Sequence, residues 1–309
     1  MLIKCYRNKP AGPYSAGVFY IFASTNKMPH IMKKSCLLLL ALLFTAVTFA
    51  QKREKIKGSK NVTVAKKEVA AFDSLEIEDN LEVYLTKGTE QGLEIEADDN
   101  LHDVIQADIH GGTLRLYTNK EVSGAKKITV RINYTGELKS IIAKHQVMLY
   151  ALTELEVEDI TIKNLDFSKS FLNVKAGSFS LSLNDKTTAE INVKAESTTI
   201  DLSKNADLKA LIATQNLKMD MYQKTTAAIE GDAAAMQLRV DNNAVFTGKK
   251  FSVKNASLVA ESYTKCSITV AETLDMEVTG KTEIELYGAP TSVTMKKFAD
   301  SAIIYKKEL

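Results

Sequence analysis

The chain has 309 residues, enough for one large β-domain or two average domains, and 45% of them are hydrophobic. Its 40 basic and 38 acidic residues nearly balance, and no Lys/Arg cluster is interleaved with aromatic residues. This composition argues against nucleic acid as a partner.

The first predicted element is a leader. Met32-Lys33-Lys34 is followed by an apolar run over 37–44 and by the exit Thr48-Phe49-Ala50. A basic start, a short apolar centre and a small residue at the exit are typical of a secretory signal peptide. We therefore predict a signal peptide over 32–50, cleaved after Ala50. Residues 1–31 are then an upstream extension from a misassigned start; the alternative is a longer leader or an anchor that begins at Met1.

Export changes the charge and the cysteine content of the chain. Removal of residues 1–50 leaves 34 basic and 38 acidic residues, so the mature protein is mildly acidic. Cys5 and Cys36 are removed as well, which leaves Cys266 without a partner for an internal disulfide. The apolar run is too short for a comfortable span, so we expect no stable membrane span after cleavage. The predicted location is the periplasm, the outer surface or the extracellular space.

After the leader we predict a charged linker over 51–70, a β domain over 71–297 and a C-terminal cap over 298–309. The linker is predicted because residues 51–60 carry six Lys, Arg and Glu side chains and little to bury. From residue 75 onward, apolar and polar residues alternate with period two, as in Leu81-x-Val83-x-Leu85 and Ile128-x-Val130-x-Ile132. This alternation indicates half-buried strands.

An internal repeat is the most informative pattern. Pairs of apolar residues recur at a nearly constant spacing of about 19 residues. The pairs are Leu181/Leu183, Ile200/Leu202, Met219/Met221, Leu238/Val240, Leu258/Ala260 and Met276/Val278. A second set of pairs, in which a small residue comes first, follows the first set. From the first residue of each first pair to the last residue of the second pair, the distance alternates between ten residues (Leu181 to Ile191) and eight (Ile200 to Leu208). The second pairs are Ala189/Ile191, Ala206/Leu208, Ala227/Ile229, Ala244/Phe246, Cys266/Ile268 and Thr282/Ile284. This alternation predicts a double coil of about 38 residues.

The repeat predicts an all-β fold, a parallel β-solenoid with about 19 residues per coil. The regular coils cover 160–288, and a strand-rich flank precedes them. Stacked coils bury ladders of like residues that one coil cannot bury alone. An antiparallel sandwich is the alternative, although it does not predict repetition of side-chain identity at a fixed length.

The hydrophobic pattern also suggests a family. The motifs are Phe72-x-x-Leu75-x-Ile77, Leu93-x-Ile95, Gly112-x-Leu114-x-Leu116 and Tyr287-Gly288-x-Pro290. With these motifs the chain resembles the auto-transporter adhesin, head GIN domain family over about 70–297. The resemblance implies export in Bacteroidetes-like bacteria, a β-solenoid and an adhesin-like role, and it supplies no catalytic residues. This sequence departs from the family at 143–147, where a small Ser-Gly turn is usual.

The predicted coils place candidate acidic groups side by side on the outer surface. Asp201 and Asp220 fall in neighbouring coils with Arg239 next in line, and Glu190 and Asp207 form a second candidate pair. Adjacent carboxylates can share a cation or act as acid and base. The alternative is a solvated face on which Arg239 compensates Asp220, and that interpretation is favoured because no second acidic column, His or Lys joins the pair.

The remaining polar groups predict no catalytic, metal or cofactor site. His102, His110 and His145 lack metal-ligand spacing and are expected on loops or at the surface. The triplet 98–100, Asp-Asp-Asn, lacks the glycine and distal glutamate of an EF-hand loop, so a turn with solvated carboxylates is expected. Cys266 is expected to be a small core residue.

The leading functional hypothesis is an exported, non-enzymatic scaffold that binds an unknown protein or glycan at the cell surface. The alternative is a glycan-acting hydrolase or lyase that uses Asp201 and Asp220 on a solenoid face. A third hypothesis, a lipid or small ligand inside the solenoid, is disfavoured because the inward residues are small and apolar and leave little room.

Overall fold

β-strands supply almost all of the regular structure in the computed structural model, which describes residues 53–136 and 138–308. The predicted extension (1–31) and signal peptide (32–50) lie outside these residues. In chain order the strands are β1 Lys55–Lys57, β2 Val62–Lys67, β3 Ser74–Ile77, β4 Glu82–Lys87, β5 Gly92–Asp98, β6 Ile105–His110, β7 Thr113–Thr118, β8 Glu121–Ser123, β9 Ile128–Tyr134, β10 Ser140–Ala143, β11 Met148–Glu156, β12 Asp159–Asn164, β13 Lys169–Asn184, β14 Thr188–Ser203, β15 Asp207–Tyr222, β16 Thr226–Asp241, β17 Val245–Ala260, β18 Lys265–Val278, β19 Glu283–Tyr287, β20 Ser292–Phe298 and β21 Ile303–Lys306. A 3-10 turn, Asp99–Leu101, follows β5. In the described ranges, no helix is long and apolar enough to cross a membrane.

The long strands β13 to β18 form a parallel stack in which each strand pairs with the next. Leu181 lies beside Ile200, and Ile200 lies beside Met219. The predicted parallel β-solenoid with about 19 residues per coil is confirmed. Parallel pairing buries both members of each apolar pair along the whole stack.

Each long strand carries two inward-facing segments. In β13 the buried residues are Ser170, Leu172 and Val174, and beyond a bend they are Phe179, Leu181 and Leu183. Side chains of a strand alternate between its two faces, so the residues on one face all have even or all have odd numbers. The buried residues of β13 change from even to odd numbers, which shows that the chain turns a corner between the two segments while each keeps one face on the core. In β14 the numbers change from odd to even at the equivalent point.

The predicted double coil of about 38 residues is wrong in the pairing of the second apolar set, although the sizes of the side chains do alternate from coil to coil. Ala189 lies beside Leu208, not Ala206, and Ile191 lies beside Ala210. Each coil is thus a uniform unit in which a small residue in one coil meets a large one in the next. Along this column the residues are Ala189, Leu208, Ala227, Phe246, Cys266 and Ile284.

At the next inward position of each coil, the order of sizes is reversed. The residues there are Ile191, Ala210, Ile229, Gly248 and Ile268. A Cβ at Gly248 would lie 2.5 Å from Cε1 of Phe246, so the Phe246 ring occupies the space that a side chain at Gly248 would fill. Neighbouring strands lie only about 4.8 Å apart, and the alternation of sizes lets close packing continue from coil to coil.

The parallel stack also extends beyond the predicted 160–288. β3 pairs in parallel with β7 and β10, and β4 pairs in parallel with β9 and β11. β3 and β4 form the first coil in the sequence, but they lie between the coil of β7 and β9 and the coil of β10 and β11. Counted from the N-terminal end of the stack, they are therefore the second coil. β20 and β21 continue the stack at the other end.

The N-terminal end of the stack is covered by antiparallel strands. β5 pairs with β9 and with β2, and β6 pairs with β7. The charged linker predicted over 51–70 is thus wrong for β1, which pairs with β8, and for β2. The side chains of β2 are exposed or only partly buried. The strand forms because its backbone N–H and C=O groups pair with the edge of β5.

The Asp98 carboxylate fixes this end of the fold. It is fully buried and accepts hydrogen bonds from the backbone N–H groups of Lys60 (2.9 Å), Lys126 (3.1 Å) and Lys127 (3.4 Å). Burial alone would raise the pKa of this carboxyl, but the three N–H donors outweigh burial and hold its pKa below the ordinary value. The expected turn with solvated carboxylates is therefore wrong at Asp98.

Candidate functional site

A surface cleft of about 890 Å³ lies beside the corners of three successive coils. These corners join β3 to β4, β10 to β11 and β12 to β13, and each has a residue with positive φ: Asp79 (71°), His145 (57°) and Asp166 (64°). The cleft is lined by Arg53, Asp79, Asn80, Glu82, Thr118, Glu121, Val122, Gly124, Ala125, Lys126, Lys127, Ile128, His145, Gln146, Met148, Asp166 and Phe167.

Hydrogen bonds between neighbouring corners hold the polar wall of the cleft. The backbone N–H of Asp79 donates to Nδ1 of His145 (3.2 Å), and the backbone N–H of His145 donates to Oδ2 of Asp166 (3.0 Å). The corners are thus linked across three coils, and His145 lies at the surface as expected.

The carboxylate of Asp79 has its hydrogen-bond capacity filled by neighbours. Oδ2 accepts from the backbone N–H (2.8 Å) and the hydroxyl (2.9 Å) of Thr118, and Oδ1 lies 2.7 Å from Nη1 of Arg53. A carboxylate with this many partners fixes the positions of its neighbours.

Phe167 gives the cleft an exposed aromatic surface. Its side chain is 53% exposed, and Nζ of Lys186 lies 5.7 Å from the ring centroid. The planar polar side chains of Asn80 and Gln146 line the same cleft. An aromatic face beside planar hydrogen-bonding groups can hold a polar ligand that has a flat apolar side.

The predicted column of Asp201, Asp220 and Arg239 is formed: Asp201 lies beside Asp220, and Asp220 beside Arg239. Nζ of Lys218 lies 3.8 Å from Asp220, whereas Arg239 contacts Glu261 at 3.4 Å. Partial loss of solvent and the neighbouring charge of Asp220 raise the pKa of Asp201, even though this residue lies at the surface.

We expect Asp201→Asn to stabilise the mature chain by about 0.5 kcal/mol at pH 7, because it removes a like charge beside Asp220. A raised pKa in the folded state means that ionisation of Asp201 costs stability, a cost that develops as the pH rises from the ordinary pKa to the raised one. The gain should therefore vanish near pH 3 in urea unfolding followed by circular dichroism. Asp207→Asn is the control, and a loss of stability in Asp201→Asn at pH 7 would contradict the prediction.

The second predicted acidic pair does not form. Glu190 lies beside Lys209, with 3.1 Å between the charged groups, and Asp207 lies beside Thr188 and Thr226. The hydroxyl of Thr226 donates to Asp207 Oδ2 at 2.6 Å. The error has the same cause as the misaligned apolar set. Ala189 pairs two positions later than predicted, with Leu208, and Glu190 therefore also pairs two positions later, with Lys209.

Two other candidate groups have structural roles. Cys266 is buried in the core column, as expected, and burial raises the pKa of its thiol. In the 98–100 triplet, Asp99 accepts from Ser59 and Asn61, and Asn100 bonds the backbone of Lys57 and Ser59. Within the described part of the chain, no group of three or more His, Cys, Asp and Glu residues is placed to hold a metal ion.

Comparison with known proteins places this architecture in a family. The family model described as "Putative auto-transporter adhesin, head GIN domain" matches residues 71–290. The chain belongs to this family. The match covers the parallel coils from β3 to β19 together with the antiparallel strands β5 and β6 at their N-terminal end, and it ends before β20 and β21. None of the curated proteins matches the chain.

Three of the solved structures that are similar to this head GIN domain protein come from Parabacteroides. A "putative adhesin" from Parabacteroides distasonis has 14% identity and a TM-score of 0.61, covering 83% of this chain and 100% of that one. A "putative adhesin" from Parabacteroides merdae has 16% identity and a TM-score of 0.56, covering 83% and 99%. A "putative lipid binding protein" from Parabacteroides distasonis has 17% identity and a TM-score of 0.57, covering 81% and 98%. At these identities the likeness shows the fold alone.

His145, within the segment 143–147, lies in the cleft. It adopts the left-handed conformation that a glycine takes most easily, and it brings an imidazole to this corner. The sequence reasoning missed the cleft. Polar corner residues do recur at the coil spacing in Asp166, Asp185 and Lys204, but of these only Asp166 lines the cleft.

Proposed function

We propose that this protein is an exported, non-enzymatic binding scaffold of the bacterial cell surface that binds a glycan in the cleft beside Phe167. The observation that carries the proposal is an exposed aromatic ring next to planar polar side chains on a stack of rigidly linked coils. Export is supported by the leader sequence over 32–50. Adhesion is supported by the family description.

The chemistry of the cleft suits a sugar. A pyranose ring presents C–H groups on one face and hydroxyls around its edge, so it can lie on an aromatic ring while Asn80, Gln146 and Glu82 reach the hydroxyls. The polar wall is held by hydrogen bonds from backbone N–H groups to side chains of the neighbouring coils. Such a preorganised site loses little conformational entropy when a ligand binds.

One observation favours a second candidate, a glycan-acting hydrolase or lyase. The raised pKa of Asp201 beside Asp220 is the arrangement that a shared acid and base would need. Against it, neither carboxylate lies in the cleft. Lipid binding, named for one structural neighbour, would need an outer surface, because the inward columns are filled by alternating side chains.

The test is a glycan array with the mature chain, residues 51–309, followed by titration of the best ligand. Phe167→Ala should weaken binding at least about tenfold, equivalent to about 1.4 kcal/mol. Tyr263→Ala is the matched control, because Tyr263 is also an exposed aromatic residue (60%) with a lysine, Lys281, over its ring at 5.5 Å. Equal losses in both variants, or no glycan bound, would contradict the proposed site.

Turnover separates the scaffold from the enzyme. Incubation with each bound glycan should release no product from wild-type protein. Product release that is abolished by Asp201→Ala or Asp220→Ala would overturn the scaffold and establish the hydrolase or lyase.

A further inference from the structure

The two ends of the stack differ. The N-terminal end is covered by β2, β5 and β6. At the C-terminal end, β20 pairs only with β18 and β21 pairs only with β19, and no strand in the described chain lies on their outer edges. Every residue of β20 is exposed. The backbone N–H and C=O groups of this edge are open to pairing with another chain.

The side chains at this open end continue the inward columns. Val293, Met295 and Phe298 lie beside Leu274, Met276 and Val278, which are buried. Met295 is nevertheless 53% exposed and Phe298 47% exposed. Five of the eleven large hydrophobic side chains that are exposed in the described chain lie on β20 and β21. Core positions are thus left uncovered only because no further coil lies above them.

Charge distinguishes the last coil from the coil beneath it. The coil beneath presents acids: Asp275 contacts Lys296 at 3.0 Å, and Glu285 lies 3.8 Å from Lys307. Glu277 is paired in register with Lys297. The last coil presents Lys296, Lys297, Lys306 and Lys307, and of these Lys297 and Lys306 make no ion pair with any described residue. An acidic layer lies below this lysine layer, and no described residue lies above it.

We propose that the open end accepts an extended strand from a partner protein, in which apolar residues alternate with acidic ones. The apolar residues would cover Met295 and Phe298, an acid would pair with Lys297, and the backbone would complete the ladder of β20. Residues 273–278, Thr-Leu-Asp-Met-Glu-Val, show the matching pattern on the other side of β20. A second copy joined edge to edge would instead place lysines opposite lysines, which is unfavourable.

The test uses a fluorescent synthetic peptide that repeats residues 272–279, Glu-Thr-Leu-Asp-Met-Glu-Val-Thr, and measures its anisotropy with the mature chain. We expect saturable binding that weakens as salt is raised, since exposed ion pairs are screened. The variant Lys297→Glu should weaken binding at least about tenfold. Lys254→Glu, at an exposed lysine of a middle coil, is the matched control and should leave binding unchanged.

A second variant tests the apolar contact. Met295→Glu, with its fold checked by circular dichroism, should abolish binding of the acidic peptide, and a peptide with lysines in place of its three acids should not bind. No binding of the acidic peptide, or equal loss in Lys297→Glu and Lys254→Glu, would overturn the proposal. Sedimentation that shows a dimer of the unmodified chain, lost in Met295→Glu, would overturn it in favour of a second copy. Phe167→Ala should keep peptide binding, so failure of the glycan site and failure of this site are distinguishable.

Discussion

Gly231→Ala is expected to destabilise the chain by about 2–4 kcal/mol, because two costs coincide at this position. Gly231 has φ of 111°, a conformation that residues with a side chain rarely adopt. A Cβ there would also lie 2.1 Å from the carbonyl oxygen of Ile212, its partner in the adjacent coil. That oxygen belongs to the backbone of β15, so it cannot move away without disturbing the parallel ladder on both sides.

The matched control is Gly136→Ala. Gly136 also has positive φ, 69°, but a Cβ there would meet no atom within 4 Å. Its expected cost is about 1 kcal/mol from backbone conformation alone. Urea unfolding followed by circular dichroism measures both variants, and equal losses would show that contact with the adjacent coil contributes nothing.

Asp98→Asn is expected to cost about 2–4 kcal/mol at pH 7. The buried carboxylate accepts three backbone N–H bonds, and an amide in its place would point an N–H₂ group at some of these donors. The loops that carry Lys60 and Lys126 would lose the group that joins them to the end of β5.

The effect of Asp98→Asn should depend on pH in a defined direction. The pKa of Asp98 is lowered in the folded state, so its contribution is complete above the ordinary carboxyl pKa and is lost as the pH falls through the lowered value. The difference in unfolding free energy between wild type and variant should therefore shrink below about pH 4. Asp103→Asn, a change at an exposed acid nearby, should have little effect at any pH. A cost that stays constant down to pH 2 would rule out the carboxylate as its origin.

The regular coils were predictable because their pattern is local and repeated. Each apolar pair recurs once per coil, so the column from Leu181 to Met276 could be aligned by counting. The second set was misaligned because Ala189 and Ala206 are both small residues with a large residue two positions later. They belong to different columns of the core, since Ala189 pairs with Leu208. Only the backbone register separates them.

The N-terminal coils and the cleft could not be predicted in this way. The coil of β3 and β4 lies between two coils that come later in the chain, so sequence order does not give spatial order. Asp79 and His145 are 66 residues apart, and no fixed period brings them together. The bonds of Asp98 likewise reach residues 28 to 38 positions away. By contrast, Asp201 and Asp220 are one coil apart, and their adjacency was predicted.

The alternation of small and large residues in the core constrains how proteins with this stack can change in length. Deleting a single coil, such as the coil of β15, would bring Ala189 next to Ala227 and Ile191 next to Ile229. A void would open in one column while two large side chains competed for space in the other. Between β14 and β18, deleting or duplicating two adjacent coils together would keep the order of small and large residues in both columns. Gain and loss of coils in pairs is therefore the route of growth that this core tolerates, and a shortened or lengthened scaffold should be built in the same steps.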